Sequence, residues 1–333
     1  MKFSIFGAGR MGVIHAGNLS MSGRAQLACV VDSDLVRAKG LASLYGAVAT
    51  SDPSAALSDS SVDAVIIASP TTTHADLIEA SVKAGKSILC EKPIDLDIER
   101  VLACEAAIAG YGKPVMIGFQ RRFDETHMAV GNAVVRGDIG KVESVSIVSR
   151  DPSPPPYDYI RTSGGQFLDQ MIHDFDLALW LSGARGKARV FAMGAALVDP
   201  GIGGIGDTDS AHALIEFSTG SFCKIECSRR ASYGYDQRVE VFGERGMVCS
   251  DNVHTSSISS WTAEGTATRA TLKPDFMQRY LPCYATELTA FIDAVETGVL
   301  RGPDFTAGRR AVQLASAAKQ SMLCRQPVEI DLG

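Results

Sequence analysis

The chain has 333 residues, of which 46% are hydrophobic and 21% charged, and it carries a formal net charge of -6. The length fits two domains, and the composition is that of a globular protein with a buried core. An acidic chain without a run of Lys or Arg argues against binding to nucleic acid or to an anionic membrane, and no apolar run approaches the roughly 20 residues of a membrane span. The N-terminal apolar stretch is too short for a signal peptide, so a cytoplasmic protein is expected.

The first 120 residues alternate between short β-rich runs and helical patterns. Repeated βαβ units of this kind predict an α/β domain with a doubly wound parallel sheet, that is, a Rossmann domain over residues 1–120. Right-handed crossovers bring the carboxyl ends of the strands to one edge, where ligands bind. The predicted strands are 2–6, 26–32, 63–68, 87–90 and 115–118, and the predicted helices are 10–22, 34–45, 74–84 and 97–109.

After residue 120 the pattern changes to longer β-rich runs joined by turns. This pattern predicts an α+β domain over residues 121–333 with a large, mostly antiparallel open sheet. The last helix could pack on either domain, and residues 151–159, with four prolines, are expected to form a stiff loop. The predicted strands are 142–150, 188–198, 209–217, 221–228, 237–242 and 247–250, and the predicted helices are 166–181, 286–297 and 305–323.

The eight cysteines are scattered and include no C-x-x-C pair. Cys223 and Cys227 are four residues apart in a predicted strand, so they should face the same side. We expect reduced, buried thiols and no structural zinc site, because the ligand spacing for zinc is missing. No metal is expected in the active site.

Residues 7–12 fit the pattern G-x-G-x-x-G, and a second copy occupies residues 201–206. The first copy follows a predicted strand and opens a helix, whose N-terminus favours a pyrophosphate; the second is expected to be a flexible turn. In the first copy, Gly7 permits a tight turn, Gly9 lets the backbone approach phosphate and Gly12 allows close helix packing. Arg10 and Met11 complete the predicted phosphate-binding turn.

Asp32 follows 20 residues after Gly12, at the end of the second predicted strand. An acidic residue there accepts hydrogen bonds from the adenine-ribose hydroxyls and repels a 2′-phosphate, so NAD is favoured over NADP. The alternative is that Asp32 only caps the helix that starts near Asp34.

Lys92 and the loop 68–74 each follow a predicted strand on the ligand edge. The Lys92 ammonium could stabilise negative charge as a substrate hydroxyl is deprotonated, or it could be a surface lysine paired with Glu91. Pro93 biases Lys92 towards an extended backbone. The loop could contact the cofactor. The alternative is that Thr73 serves as a helix N-cap.

In the predicted helix 166–181, Asp169, His173 and Asp176 fall on one face while most other positions are apolar. This proportion is the inverse of a surface helix and indicates a buried helix that lines a polar pocket. His173 is the expected general base, with Asp169 orienting its imidazole or binding a substrate hydroxyl. The alternative is an Asp/His pair that faces solvent.

Over essentially its whole length the chain resembles the glucose–fructose oxidoreductase/inositol dehydrogenase/rhizopine-catabolism family. The motifs that carry the resemblance are the first glycine motif, the triplet Glu91-Lys92-Pro93, and the Asp169-x-x-x-His173 pair. Within the family, residues 149–152, 164–165 and 172–176 look like the inositol 2-dehydrogenase branch.

The resemblance implies a catalytic set of Lys92, Asp169 and His173 and hydride transfer from a ring carbon to NAD. It also implies cofactor contacts from residues at the strand ends, substrate contacts in the second half, and a homotetramer formed through the open sheet. Arg121 competes with Arg122 for one substrate contact, and the two tyrosines could equally be ordinary strand aromatics. The implied cofactor contacts are Gly7, Gly9, Arg10, Met11, Gly12, Asp32, Ser69, Thr71, His74, Glu91 and Lys92, and the implied substrate contacts are Arg122, Asp151, Asp169, His173, Asp176, Tyr233 and Tyr235.

The expected activity is NAD-dependent oxidation of a secondary ring hydroxyl of myo-inositol. The alternative substrates are another cyclic polyol or pyranose sugar, such as scyllo-inositol, a glucoside or an anhydrosugar. Two other rivals are redox-neutral chemistry on a tightly held cofactor and a non-enzymatic NAD sensor.

Overall fold

The structure, a computed structural model, describes residues 1–263 and 265–333. By internal contacts the chain divides into two units. The first comprises Met1–Phe123 and Cys283–Val312, and the second comprises Asp124–Pro282 and Gln313–Gly333. The sequence-based division at residue 120 places Cys283–Val312 in the other domain, although the last predicted helix, 305–323, was expected to pack on either domain.

The first unit has the predicted parallel sheet, in the order β3-β2-β1-β4-β5-β6. Its strands are β1 (Lys2–Phe6), β2 (Gln26–Val31), β3 (Val48–Thr50), β4 (Ala64–Ile67), β5 (Ser87–Glu91) and β6 (Val115–Gly118). Its helices within the first 123 residues are α1 (Arg10–Ser22), α2 (Leu35–Ser43), α3 (Pro53–Ser58), α4 (His74–Lys83) and α5 (Ile98–Ala107). The short elements β3 and α3 were not predicted, because neither is long enough to show a hydrophobic period.

The core of this unit explains its strand sequences. All four residues of β4 are buried, as expected for a parallel strand covered on both faces. One cluster joins β1, β2 and β4 to apolar residues far along the chain, including Leu288, Phe291 and Ile292. The sheet therefore depends on a segment that the sequence pattern assigns to the other domain.

The described residues of the second unit form a seven-stranded sheet in the order β12-β11-β7-β10-β9-β8-β15 and a separate hairpin of β13 and β14. Only the β7–β10 pair of the larger sheet is parallel, so the predicted mostly antiparallel sheet is confirmed. Its strands are β7 (Val142–Arg150), β8 (Lys187–Ala195), β9 (Ser210–Phe217), β10 (Phe222–Ser228), β11 (Asp236–Gly243), β12 (Gly246–Ser250), β13 (Ser259–Thr262), β14 (Gly265–Arg269) and β15 (Val328–Asp331). Its helices are α6 (Glu125–Val135), α7 (Tyr157–Thr162), α8 (Gln166–Asp169), α9 (Ile172–Ser182) and α10 (Pro200–Gly204).

One face of this sheet is buried and the other is open. Along β9, Ala211, Ala213 and Ile215 are buried while Leu214 between them is exposed. Helix α9 packs on β7 and covers the buried face. The alternation is that of an antiparallel sheet with one face on the core.

Two long helices complete the chain, α11 (Phe276–Thr297) and α12 (Phe305–Cys324). Each crosses the division between the units. The prediction that the first begins at residue 286 is wrong: α11 starts ten residues earlier and contains Pro282. Proline normally ends a helix pattern, which is why the sequence did not indicate the first turns.

Three local predictions need correction. The loop 151–159 ends in helix α7, which starts at Tyr157 just after the last proline, where proline is well tolerated. The second glycine motif is not simply a turn, because helix α10 covers residues 200–204 and the Asp199 side chain caps it by accepting from the Gly201 N–H. The predicted single helix 166–181 is two helices, α8 and α9.

All eight cysteines lie in the described ranges and are free thiols. Cys223 and Cys227 are both buried on the same side of β10, as predicted. The prediction that all the thiols are buried is wrong, because Cys249 and Cys324 are exposed. Within the described residues, no helix combines the length and the apolar character that crossing a membrane requires.

Candidate active site

The turn between β1 and α1 requires glycine at two of its three motif positions. Gly7 has a φ of 103°, and a Cβ there would lie 2.4 Å from the Ala68 carbonyl oxygen. A Cβ on Gly12 would lie 1.9 Å from the Gly7 carbonyl oxygen, which leaves no room for a side chain. A Cβ on Gly9 would meet no atom within 4 Å. The turn is therefore closed on its protein side and open beside Gly9, as a close phosphate approach requires.

Gly9 is also the N-cap of α1 and has no side chain that could cap the helix. The first-turn N–H groups of Arg10, Met11 and Gly12 therefore receive no cap from it, and such a helix end favours an anion. The Arg10 side chain is exposed and Met11 is partly exposed. These features fit the pyrophosphate of a dinucleotide.

Asp32 follows directly after β2, and its carboxylate is fixed by backbone donors. The Ala8 N–H donates to Oδ2 at 2.7 Å, and the Asp34 N–H donates to Oδ1 at 2.8 Å. The α2 N-cap is Asp34, whose own side chain accepts from Val36 and Arg37. Asp32 is therefore not the helix cap, and each of its oxygens has a further lone pair for a ribose hydroxyl. These remaining acceptor positions fit the ribose hydroxyls of NAD.

The loop after β4 contains Ser69 and Thr71, and both belong to a compact turn. Ser69 Oγ lies 2.7 Å from Thr73 Oγ1, and Thr71 begins a single 3₁₀ turn, Thr71–Thr73. Thr73 occupies the N-cap position of α4, but its hydroxyl donates to the Pro70 carbonyl instead of capping the helix. The cofactor contacts expected of Ser69 and Thr71 stay predictions.

The His74 ring is buried and joins the two strand-end loops of the first unit. Its Nδ1 lies 2.8 Å from the Pro93 carbonyl oxygen and its Nε2 lies 2.9 Å from the Ser69 carbonyl oxygen. Burial lowers the pKa of His74, although both carbonyl contacts act in the opposite direction. A neutral imidazole has one N–H, so it donates to one carbonyl at a time. These contacts give His74 a structural role beside the predicted cofactor contact.

Lys92 follows β5 on the same edge of the sheet, where it is partly exposed. Its peptide bond to Pro93 is cis. The side chain of the preceding Glu91 is buried, and its Oε1 lies 2.8 Å from Nε2 of His15, a residue of α1. Glu91 thus has a buried partner of its own, which the sequence did not indicate.

The second unit holds Asp169 and His173 on either side of a helix break. Asp169 ends α8, His173 is in the first turn of α9, and the Met171 N–H donates to the carbonyl of Gln166, five residues earlier. This wider turn changes the 100° step on which the sequence argument depends. His173 is buried in the apolar helix and the Asp169 side chain is only 15% exposed, so the alternative of a solvent-facing Asp/His pair is wrong. Asp176 is almost fully buried in the same helix.

Two residues that the sequence did not indicate hold Asp169. The Tyr159 hydroxyl donates to Oδ1 at 2.8 Å, and Nη2 of Arg229 lies 3.7 Å from Oδ2. Arg229 is only 1% exposed and also lies 3.7 Å from the Asp207 carboxylate. Neither Tyr159 nor Arg229 falls in a periodic motif, so no sequence signal pointed to them.

Two glutamines fix α8 against the sheet. Gln166 Nε2 donates to Gln170 Oε1 at 3.1 Å, and Gln170 Nε2 donates to the Ser228 carbonyl at 3.0 Å. The Thr208 hydroxyl in turn donates to Gln166 Oε1 at 2.8 Å. Buried polar groups that are fully paired in this way specify one arrangement. Gln170, which flanks Asp169, therefore stabilises the position of α8 against the sheet.

The tyrosines of the predicted substrate site differ in exposure. Tyr233 is half exposed, and its hydroxyl contacts Arg150 and Asp236 at 2.7 Å each. Tyr235 is buried and packs edge-on against Tyr280 at 5.8 Å between ring centroids. This packing is that of a core aromatic, and the substrate contacts of both tyrosines stay predictions.

Arg122 and Asp151 are both partly exposed. Arg122 lies in the 3₁₀ turn Gln120–Phe123, where its competitor Arg121 is buried. The Asp151 N–H donates to the Ser228 carbonyl at 2.9 Å, which extends the β7–β10 pairing by one residue. Exposure therefore favours Arg122 over Arg121 for a small ligand, and the contacts themselves stay predictions.

Comparison with known proteins gives two family matches. Residues 1–119 match the oxidoreductase family with an NAD-binding Rossmann fold, and residues 127–249 match the GFO/IDH/MocA C-terminal domain. The inositol 2-dehydrogenase of Rhizobium meliloti (strain 1021) is 45% identical over 331 residues, which cover 99% of each chain.

Solved structures of two inositol dehydrogenases are similar to this chain over its full length. The myo-inositol dehydrogenase of Corynebacterium glutamicum has a TM-score of 0.94 at 37% identity and covers 99% of both chains. The scyllo-inositol dehydrogenase of Lactobacillus casei with bound NAD(H) and scyllo-inositol has a TM-score of 0.91 at 26% identity and covers 99% of this chain and 98% of that one. With both family matches and these full-length likenesses, the chain belongs to the GFO/IDH/MocA family of oxidoreductases.

Proposed function

We propose that this protein is an NAD-dependent dehydrogenase that oxidises a secondary ring hydroxyl of myo-inositol. The observation that carries the proposal is the 45% identity, over 99% of both chains, to an inositol 2-dehydrogenase. The glycine turn that is open beside Gly9 and the backbone-anchored Asp32 fit the cofactor. When bound, NAD accepts a hydride from the substrate carbon.

Three side chains provide the proposed catalysis. His173 accepts the proton of the reacting hydroxyl, because an imidazole exchanges protons near neutral pH. Asp169, held by Tyr159 and Arg229, orients the imidazole or binds a neighbouring hydroxyl. The Lys92 ammonium stabilises the negative charge that develops on the substrate oxygen.

The cofactor contacts proposed are the eleven residues predicted from the sequence, with Asp32 selecting NAD over NADP. The proposed substrate contacts are Arg122, Asp151, Asp176, Tyr233 and Tyr235, besides Asp169 and His173. The eight free thiols support a cytoplasmic location.

Activity with NAD on a panel of cyclic polyols and sugars, followed by NADH absorbance, tests the substrate. We expect the highest kcat/KM with myo-inositol. A higher value for scyllo-inositol would favour the second candidate, which the likeness to the Lactobacillus casei enzyme supports. No turnover of any polyol or sugar would contradict the proposal.

The Lys92→Ala variant tests the chemistry. Because loss of a preorganised charge that stabilises a transition state costs about 10²–10³ in kcat, we expect a fall of that size while NADH binding persists. A kcat close to that of the parent protein would contradict the role of Lys92.

We also propose that the protein assembles as a homotetramer through the open face of its sheet. Phe222, Phe242 and Met247 are exposed and lie in one row across β10, β11 and β12, since Phe222 and Phe242 both pair with Ser144 of β7 and Met247 pairs with Phe242. Such an apolar row is typical of a protein interface. Sedimentation should give a tetramer for the parent chain and smaller species for Phe222→Lys; a monomeric parent chain would contradict the proposal.

A further inference from the structure

Three ionisable residues of the first unit meet in a buried cluster beside Lys92. His15 is in α1, Glu91 ends β5 and Glu287 is in α11. His15 and Glu287 are 0% exposed, and Glu91 is buried. One ligand-type atom from each residue lies within 4.8 Å of the others.

Glu287 has no hydrogen-bond partner for either carboxylate oxygen among the residues that the structure describes, 1–263 and 265–333. An ionised carboxylate without partners in such a place would be very costly. Glu91 already contacts His15 at 2.8 Å, so it is the better placed of the two carboxylates to hold the negative charge. Two carboxylates so close share one charge more readily than they hold two.

Burial, and then the charge of Glu91, raise the pKa of Glu287 well above its ordinary value. The other ionisable groups near Glu287 do not bring its pKa back to the ordinary value. Burial also raises the pKa of Tyr284, whose ring meets the His15 ring edge-on at 6.1 Å between centroids, and the nearby charges include Arg10 and Cys283. Arg10 has an exposed side chain, which limits its effect on a buried group.

The cluster is also closed by backbone. A Cβ on Gly118 of β6 would lie 3.0 Å from Glu91 Oε2, so the strand packs directly on that carboxylate. His15 holds the other oxygen, Oε1. The Glu91 side chain is therefore fixed, and Lys92 is the next residue in the chain.

We propose that His15, Glu91 and Glu287 form a proton-sharing network in which Glu287 carries the proton, as a neutral carboxylic acid within 4.8 Å of the Glu91 carboxylate, and that this network positions Lys92. Glu287 is a positioning residue, because it acts through the lysine. The catalytic meaning of the network rests on the proposed function; the protonation of Glu287 does not.

Infrared difference spectroscopy tests the protonation. The carbonyl stretch of a protonated carboxylic acid is separate from the bands of ionised carboxylates. At neutral pH, the spectrum of the parent protein minus that of Glu287→Gln should show one such band. If the difference showed only ionised carboxylate, the proposal would be overturned. A stoichiometric divalent cation in the purified protein would also overturn the proposal, because one imidazole and two carboxylates are also a set of metal ligands.

Kinetics test the positioning. Glu287→Gln keeps a neutral hydrogen-bond donor, so we expect kcat within about threefold of the parent value, whereas Glu287→Leu removes the donor and should lower kcat about tenfold or more with little change in NADH affinity. Equal kcat values for the Gln and Leu variants would overturn the positioning role. Glu296→Gln, an exposed carboxylate on the same helix, is the control and should behave as the parent.

If Glu287→Leu does not fold, the Tm of the parent protein and of Glu287→Gln, measured at several pH values, still tests the protonation of Glu287. The carboxyl of Glu287 ionises more easily in the unfolded chain than in the native one, so the parent protein loses stability relative to Glu287→Gln as pH rises above about 4.5. The Tm difference in favour of the Gln variant should therefore grow from pH 5 to pH 8. A difference that did not change with pH would overturn the proposal.

The Lys92→Ala variant separates this inference from the proposed function. It should retain the infrared band of Glu287, because the carboxyl lies in the cluster and not on the lysine. An active Lys92→Ala protein that kept the band would overturn the catalytic role of Lys92 and leave the proton sharing intact. Loss of the band in Lys92→Ala would overturn the network.

Discussion

The two units hold their candidate functional residues by different means. In the first unit the backbone does most of this: Gly7 and Gly12 leave no room for a Cβ, and backbone N–H groups fix the Asp32 carboxylate. In the second unit side chains do it, since a tyrosine and an arginine from other elements hold Asp169. Substitutions that add a Cβ should therefore disrupt the site residues of the first unit, whereas those of the second unit should be disrupted by substitutions that remove a hydrogen-bond or ion-pair partner.

Gly12→Ala should break the backbone arrangement and have the largest effect. Its Cβ would lie 1.9 Å from the Gly7 carbonyl oxygen, so β1 and α1 would have to separate. We expect a stability loss of about 3 kcal/mol or more and no measurable NADH binding, checked by chemical denaturation and fluorescence titration. Gly17→Ala on the same helix is the control, since its Cβ would meet the Tyr45 hydroxyl at an ordinary 3.7 Å. Equal effects of the two changes would contradict this steric explanation.

Arg229→Leu tests the side-chain arrangement. The change removes the cation between Asp169 and Asp207, so Asp169 should lose its fixed orientation. Because small misplacements of reacting groups can cost about 10²-fold, we expect kcat to fall by about that factor with a smaller change in the NADH affinity. Arg230→Leu removes an exposed neighbouring arginine and should keep full activity. If both variants were fully active, Arg229 would not position Asp169.

The second unit also contains a buried ion pair whose contribution depends on pH. Burial raises the pKa of Asp124, but its hydrogen bonds with Arg279 and Thr126 and nearby positive charge outweigh burial and lower the pKa to about 2. A lowered carboxyl pKa adds stability above about pH 4 that is lost as pH falls towards 2, here about 2 kcal/mol. Denaturation of Asp124→Asn should show its largest deficit at pH 5 and a smaller one at pH 2.5. A deficit that did not depend on pH would contradict the pKa shift.

Asp32→Ser should have the smallest effect and the most specific one. It removes the charge that disfavours a 2′-phosphate, so the ratio of kcat/KM for NAD over that for NADP should fall about tenfold or more. The ratio is insensitive to the loss of the Ala8 and Asp34 hydrogen bonds, which affects both cofactors alike. An unchanged ratio would mean that another residue selects the cofactor.

The same contrast explains what the sequence could predict. Glycine requirements and βα alternation are local, so residues 7–12, Asp32 and most strands of the first unit could be located from sequence alone. Arg229 and Glu287 could not, because the carboxylates that they approach, Asp169 and Glu91, are far away in the sequence and come close only through tertiary packing. Tyr159 could not either, because its contact with Asp169, ten residues later, depends on helix α7, which was not predicted. The helix break between Asp169 and His173 was missed for a related reason: the apolar period continues through it, and only the hydrogen bond from Met171 to Gln166 reveals it.

The segment Cys283–Val312 has a consequence for the order of synthesis. Leu288, Phe291 and Ile292 complete the core around β1, β2 and β4, and Glu287 lies within 4.8 Å of Glu91. A ribosome makes this segment only after more than four-fifths of the chain. The core of the first unit can therefore be completed only late in synthesis. Chimaeras that exchange this half between relatives should therefore carry both stretches of sequence.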